Sequence, residues 1–138
     1  MNIEIRYYSK TGHMKKMAGA VSSVLGVEAK SVEEPVVDET DVLLLGSAVY
    51  AAGIDGKIKD FINQLDPAKV KNVICFSSSA ILESSYAQVK KLLEARGVKV
   101  DSREFHCRGQ FALLHRGHPD AADIENLKGF VKGLNLKW

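Results

Sequence analysis

The stretch IEIRYYSKTGHMKKMAGAVSSVLG, residues 3–26, decides the fold. Its opening, residues 3–8, alternates: Ile3, Ile5 and Tyr7 share one face at a period of two, as in a strand. From residue 13 the period changes. Met14, Met17, Ala18, Val21, Val24 and Leu25 recur at helical spacing over residues 13–25, and Gly26 stands where a helix C-cap takes a left-handed residue. Between the two periods lie Ser9, Lys10, Thr11, Gly12 and His13. A strand that passes straight into a helix through such a turn is the start of a parallel βαβ unit.

The rest of the chain repeats the alternation. Residues 27–32 read as a short strand, and residues 33–41 (EEPVVDETD) as an acidic connection. VLLLGSAV, residues 42–49, is a continuous apolar run, the pattern of a strand covered on both faces. Residues 56–65 carry a helical stripe of Ile58, Phe61, Ile62 and Leu65, stopped by Asp66-Pro67. VICFSSS, residues 73–79, is a second buried strand ending in serines. Residues 83–96 place Tyr86, Val89, Leu92 and Leu93 on one helical face, with Gly97 as the cap. Residues 98–107 form a mixed strand suited to a sheet edge, residues 108–119 a long loop, and residues 120–134 a last helix. Ile124, Leu127, Phe130, Val131 and Leu134 face inward on that helix, and Asp120 with Asp123 supplies an N-terminal cap.

Five strands and four or five helices in alternation predict an α/β fold. It is a single doubly wound, five-stranded parallel sheet in the order 2-1-3-4-5, with helices on both faces. The two all-apolar strands belong at its centre. Glu4 and Arg6 share a face of the first strand, which this order places inside the sheet. Either they form a local ion pair, with long side chains reaching past a thin helix layer, or they present a polar surface to a partner subunit.

With 138 residues the chain suits one domain, residues 1–138. No run approaches the roughly 18 apolar residues that span a membrane. The opening MNIEIRYYSK lacks the basic start and apolar block of a secretory leader, and there are only two cysteines, Cys75 and Cys107. Both features predict a cytoplasmic protein. A net charge of +2 with mixed signs is not the basic stripe of a nucleic-acid binder.

In an open α/β sheet, ligands bind beyond the carboxyl ends of the strands, where the strand order reverses. That rule selects residues 9–14, 46–53, 77–85 and 106–109. The first turn brings a helix N-terminus, with its unpaired amides and positive partial charge, next to the hydroxyls of Ser9 and Thr11 and the compact Gly12. This is either a socket for a phosphate or a turn whose hydroxyl only caps the helix. Other anion-handling chemistries lack their signatures. There is no Gly-x-x-x-x-Gly-Lys-Ser/Thr, no Gly-x-Gly-x-x-Gly and no Gly-x-Ser-x-Gly.

Tyr8-Ser9-Lys10-Thr11-Gly12 resembles the phosphate loop of flavodoxins, Ser/Thr-x-Thr-Gly-x-Thr, in its usual place after the first strand. The second loop, Gly46-Ser47-Ala48-Val49-Tyr50, is similar as well, and the chain length suits a short-chain flavodoxin. The segments Phe105–Gly109 and Arg116–Asp120 resemble a bacterial subgroup of small flavodoxin-like proteins. The resemblance implies non-covalently held FMN and electron transfer.

By that resemblance Ser9, Lys10, Thr11, Gly12, His13 and Met14 would hold the FMN phosphate. Met14 replaces the last threonine of the family pattern, and His13 sits where asparagine is common. Ala48, Val49, Tyr50, Ala51 and Ala52 would line one side of the isoalloxazine, with Tyr50 stacking on it and Gly53 offering a carbonyl. Ser77, Ser78, Ser79, Ala80 and Ile81 would pass along the other side. No side chain need act as acid or base, because the flavin carries the chemistry. The alternatives are an FMN-dependent NAD(P)H or quinone reductase, or a related module that has lost FMN.

The redox partner is not specified by the residues; a monomer or weak dimer is expected. His106 and Cys107 end the fifth strand at the rim, either touching flavin or substrate or simply packed beneath a loop. His115 and His118 lack the companions of a structural zinc site. Lys15 and Lys16 form a solvated helix face. Trp138 covers apolar surface or lies in a mobile tail.

Overall fold

The computed structural model describes residues 1–9, 12–49, 54–79, 85–108 and 120–136. Along the chain run β1 (Ile3–Tyr7), α1 (His13–Leu25), β2 (Ala29–Ser31), β3 (Val42–Val49), α2 (Gly56–Gln64), β4 (Val73–Ser79), α3 (Tyr86–Ala95), β5 (Val100–Arg108) and α4 (Ala121–Gly133). The strands form one sheet in the order β2-β1-β3-β4-β5, with every pairing parallel. This is the order that the alternation of elements predicts. The apolar runs β3 and β4 lie inside it, and β5 is an edge.

Each face of the sheet has its own core. Alternate residues of β1, β3 and β4 (Ile3, Ile5, Val42, Leu44, Ile74 and Phe76) pack with α1 and α4. Their neighbours along β3 and β4 (Leu43, Leu45, Val73 and Cys75) pack with α2 and α3. The predicted stripes face inward: Met14, Met17, Ala18, Val21 and Leu25 of α1 are buried, as are Ile58, Phe61 and Ile62 of α2. No helix among the described residues is long and apolar enough to cross a membrane.

Two strands start later than periodicity suggests, for a common reason. The residues that looked like the first of each strand close the preceding helix. Val98 donates its amide to Leu93 O and Gly97 donates to Glu94 O, both at 3.0 Å. Gly97 is left-handed at φ 85°, so residues 93–98 form a Schellman closure, and β5 begins only at Val100. At the end of α1, Ser22 Oγ donates to Val27 O at 2.6 Å and Gly26 donates to Ser22 O, which delays β2 to Ala29. The predicted cap of the last helix is present. Asp120 accepts from the Asp123 amide while Asp123 accepts from the Asp120 amide, both at 2.9 Å.

The Glu4–Arg6 question is settled by a loop. Arg6 is only 2% exposed. Its Nε donates to Glu34 O at 2.9 Å, one terminal nitrogen donates to Pro35 O at 3.1 Å, and the other reaches Glu4 at 3.2 Å and Ile5 O at 3.1 Å. The acidic connection after β2 folds over this end of the sheet and supplies carbonyl oxygens to the guanidinium. The local ion pair therefore forms, and Arg6 is interior rather than part of a surface for a partner subunit.

Candidate functional site

The strand order reverses between β1 and β3, so the crevice of the fold opens at their carboxyl ends. The turn after β1 carries the anion-binding features. Gly12 occupies the N-cap position of α1 at φ 92°, a left-handed conformation that favours glycine. A side chain built on Gly12 would meet no atom within 4 Å, so the space above this residue is open. Gly12 has no side chain with which to cap the helix, and the first turn contains no acidic residue. Helix geometry leaves the first-turn amides, Met14 and Lys15 among them, without intrahelical partners. The Ser9 hydroxyl oxygen accepts from the Gly12 amide at 2.9 Å, which curls the turn and leaves the hydroxyl proton able to donate outward. Lys15 and Lys16 are exposed just beyond, as expected for a solvated face.

Met14 belongs to two settings. Its backbone is in the turn after β1, but its side chain is fully buried in the core between the sheet and α1. Its methyl group lies close under Gly46, where a Cβ would sit 3.0 Å away, and its sulfur accepts from Ser78 Oγ at 3.5 Å. Only its amide, therefore, is available to a ligand at the turn.

Strands β3, β4 and β5 end level, with Val49 beside Ser79 and Ser79 beside Arg108, whereas β1 ends lower, with Tyr7 beside Gly46. Ala48 is buried on the α1 side. Ser77 and Ser78 are also buried. Lys10, Thr11, Tyr50, Ala51, Ala52, Gly53, Ala80 and Ile81 lie outside the described residues, as do His115, His118 and Trp138. The structure thus brings together Ser9, Gly12, His13 and Met14 at one turn, and the ends of β3 and β4 beside it.

Two relationships near the rim escape sequence reasoning. Ser47 Oγ and Ser85 Oγ are hydrogen-bonded at 2.8 Å, both buried. Ser85 holds the N-cap position of α3 yet makes no side-chain cap; it ties the start of α3 to β3 instead. The only local signal is a serine at the head of a helical stripe, which suggests a cap. His106 and Cys107 point to opposite faces of β5. The exposed His106 places Nδ1 2.8 Å from Glu104 Oε1. Cys107 packs into the α1–α4 core, where burial, with Asp123 and Asp120 adding, pushes its thiol up to about 12. A thiol so held is a packing group rather than a nucleophile. Cys75 on the other face is pushed up to about 12 as well, by burial and then by Glu104.

Solved structures share this architecture throughout. A flavodoxin from the domain Archaea superposes with a TM-score of 0.77 at 16% identity, covering 97% of this chain and 96% of that one. Flavodoxin 2 from Bacillus cereus gives 0.70 at 19% identity, covering 96% of each chain. The chain has the flavodoxin-like fold. A short-chain flavodoxin associated with a bacterial microcompartment gives 0.67 at 17% identity over 97% of each chain, so the flavodoxin-like match extends to proteins of this length. No protein-family model and no curated protein matches the sequence. At these identities the agreement rests on topology, and the flavodoxin-like rim is where the turn at Gly12 lies.

Proposed function

We propose that the chain binds FMN without a covalent bond and acts as an electron carrier. The observation that carries this reading is the turn at Gly12. A left-handed glycine stands at the head of a helix that has no acidic residue in its first turn, beside the crevice of a flavodoxin-like sheet. Ser9 and the first-turn amides suit a phosphate dianion in charge and in hydrogen-bond chemistry. Flavin, when bound, supplies the redox chemistry. The residues of this chain bind and orient it. Ser9, Gly12 and the amides of His13, Met14 and Lys15 hold the phosphate. The ends of β3 and β4, with residues 48–53 and 77–81, flank the ring and keep water from it. Tyr50 is the stacking residue of this reading.

Titrating the purified protein with FMN and following quenching of flavin fluorescence tests the proposal. Saturable quenching with one flavin per chain supports it. Quenching that is absent, or equally strong with riboflavin, which has no phosphate, removes its basis.

A further inference from the structure

Towards the carboxyl ends of the strands, the α2–α3 side of the sheet changes from hydrocarbon to hydroxyl. Along β3 and β4 this face is built from Leu43, Leu45, Val73 and Cys75. The next residues on it are Ser47 and Ser77, which stand side by side in the sheet, each two residues before its strand ends. Ser85, at the head of α3, bonds to Ser47 across 2.8 Å. All three serines are at most 1% exposed. A serine at the head of a helix ordinarily caps it, and Ser85 does not. Nor is the pair needed for bulk, because alanine would fill either place with nearly the same volume. What it supplies is direction. A bond between hydroxyls holds only over a narrow range of distance and angle, whereas apolar contact tolerates sliding. The body of α3 is docked by other means: Val89 and Leu93 are buried in the core, and Tyr86 donates its hydroxyl to Asp101 O at 2.7 Å. The serine bond therefore fixes one thing, the point where the head of α3 meets β3. The chain leaves β4 at Ser79 and is brought back to β3 at Ser85, beside the strand ends that border the crevice.

We propose that Ser47 and Ser85 are positioning residues for the flavin ring. Their bond pins the head of α3 to the end of β3 and so sets where the wall formed by the end of β4 and the residues after it can stand. Both hydroxyls are buried and act through that wall, not by touching the flavin. This role rests on the FMN reading and deepens it, for it separates two determinants of binding. Phosphate is held on the α1 side, at Ser9 and Gly12; the ring is placed from the α2–α3 side, by the serine pair.

The test compares Ser47→Ala, Ser85→Ala, the double variant, Ser9→Ala and Val70→Ala with the wild type. Binding of FMN and of riboflavin is followed by flavin fluorescence, and the reduction potential of bound FMN is measured. Ser47→Ala and Ser85→Ala are each expected to weaken FMN and riboflavin by the same factor, about tenfold, and to shift the potential. The double variant loses no more than either single one, because all three lack the same bond. Ser9→Ala weakens FMN and leaves riboflavin unchanged. Val70, buried and bridged to Thr40 at the amino end of the sheet, serves as the control for stability alone. Val70→Ala lowers the urea midpoint and leaves the potential where it was. The proposal is overturned by serine variants that match the wild type in affinity and potential, by losses that add in the double variant, or by an equal shift of potential in Val70→Ala. Any of these, in a protein that takes up FMN, rejects the positioning role and spares the flavin reading. A wild type that takes up no FMN rejects the flavin reading, and the positioning role with it.

Discussion

Ser78 donates its hydroxyl to the sulfur of Met14 across 3.5 Å, joining the first turn of α1 to the end of β4. The two residues are 64 apart in the chain. They hold the proposed phosphate turn and one proposed flavin wall in a fixed relation. The resemblance to the flavodoxin loop makes Met14 a lost hydroxyl in the proposed binding turn. In the structure it is the residue that anchors the turn to the sheet.

Replacing it tests that role. Met14 is 0% exposed, and Met14→Ala is expected to cost about 2–5 kcal/mol through lost burial and a cavity beneath the turn. Met14→Leu conserves volume and is expected to cost less than about 1.5 kcal/mol. Urea unfolding of the three proteins checks the order. Equal stability of wild type and Met14→Ala would contradict the anchoring role.

Gly46 is constrained by volume rather than by backbone conformation. A Cβ there would lie 2.6 Å from two ring atoms of Phe76 and 3.0 Å from the Met14 methyl group. Gly46→Ala is therefore expected to destabilise by about 1–3 kcal/mol, as overpacked cores do. Combining it with Phe76→Leu should cost less than the sum of the two single changes, because the second change vacates the space that the first requires. A double-mutant cycle in denaturant measures this coupling.

Acid should weaken the fold through the bulge of β5. Between Val73 and Cys75 the register shifts, so that Val100 and Glu104 face the two β4 residues. Asp101 sits in that bulge. The Arg103 guanidinium first, then the Arg103 amide and Asn72, hold its carboxyl well below the usual range. A lowered folded value stabilises the protein above the ordinary carboxylate pKa of about 3.9, and that contribution is lost as pH falls below it. The urea midpoint should drop between about pH 5 and pH 2. Arg103→Ala should make that drop shallower, and an unchanged acid limb would contradict the assignment.

The cysteines should be silent in the native state. With both thiols pushed up to about 12, chiefly by burial, neither offers thiolate at neutral pH. Reaction with Ellman's reagent at about pH 8 is expected to be slow for the folded protein and to become complete, at both sites, once denaturant is added. Rapid modification of Cys107 in the native protein would revive a redox role for it.

Periodicity carried most of the fold. The unbroken apolar runs at 42–49 and 73–79 mark the two strands buried on both faces, and the stripes of α1 and α2 face the layers they pack against. What sequence could not show arises from contacts between distant segments. Arg6 looks misplaced until residues 34 and 35 are known to cover it. The helical stripe of residues 83–96 gives no sign that Ser85 bonds to Ser47. Val27 and Val98 look like strand residues because their β-branched side chains are buried or half-buried; only the backbone bonds of the preceding helices reveal how they are used. At the candidate site the turn itself was legible, since a strand, a glycine and a helix follow one another within a few residues. The inward direction of Met14 is also present in the helical stripe of α1.

The guanidinium of Arg6 has a consequence for how this domain can be altered. Surface connections between a strand and the next strand of such sheets ordinarily accept insertions, deletions and exchange between relatives. The segment 33–36 does not have that freedom, because two of its carbonyl oxygens are the ligands of an interior cation. A graft that keeps Arg6 must keep the path of this connection as well. A graft that replaces the connection must replace Arg6 with an apolar residue in the same step. The two are a single inherited unit, though 28 and 29 positions separate their contacts.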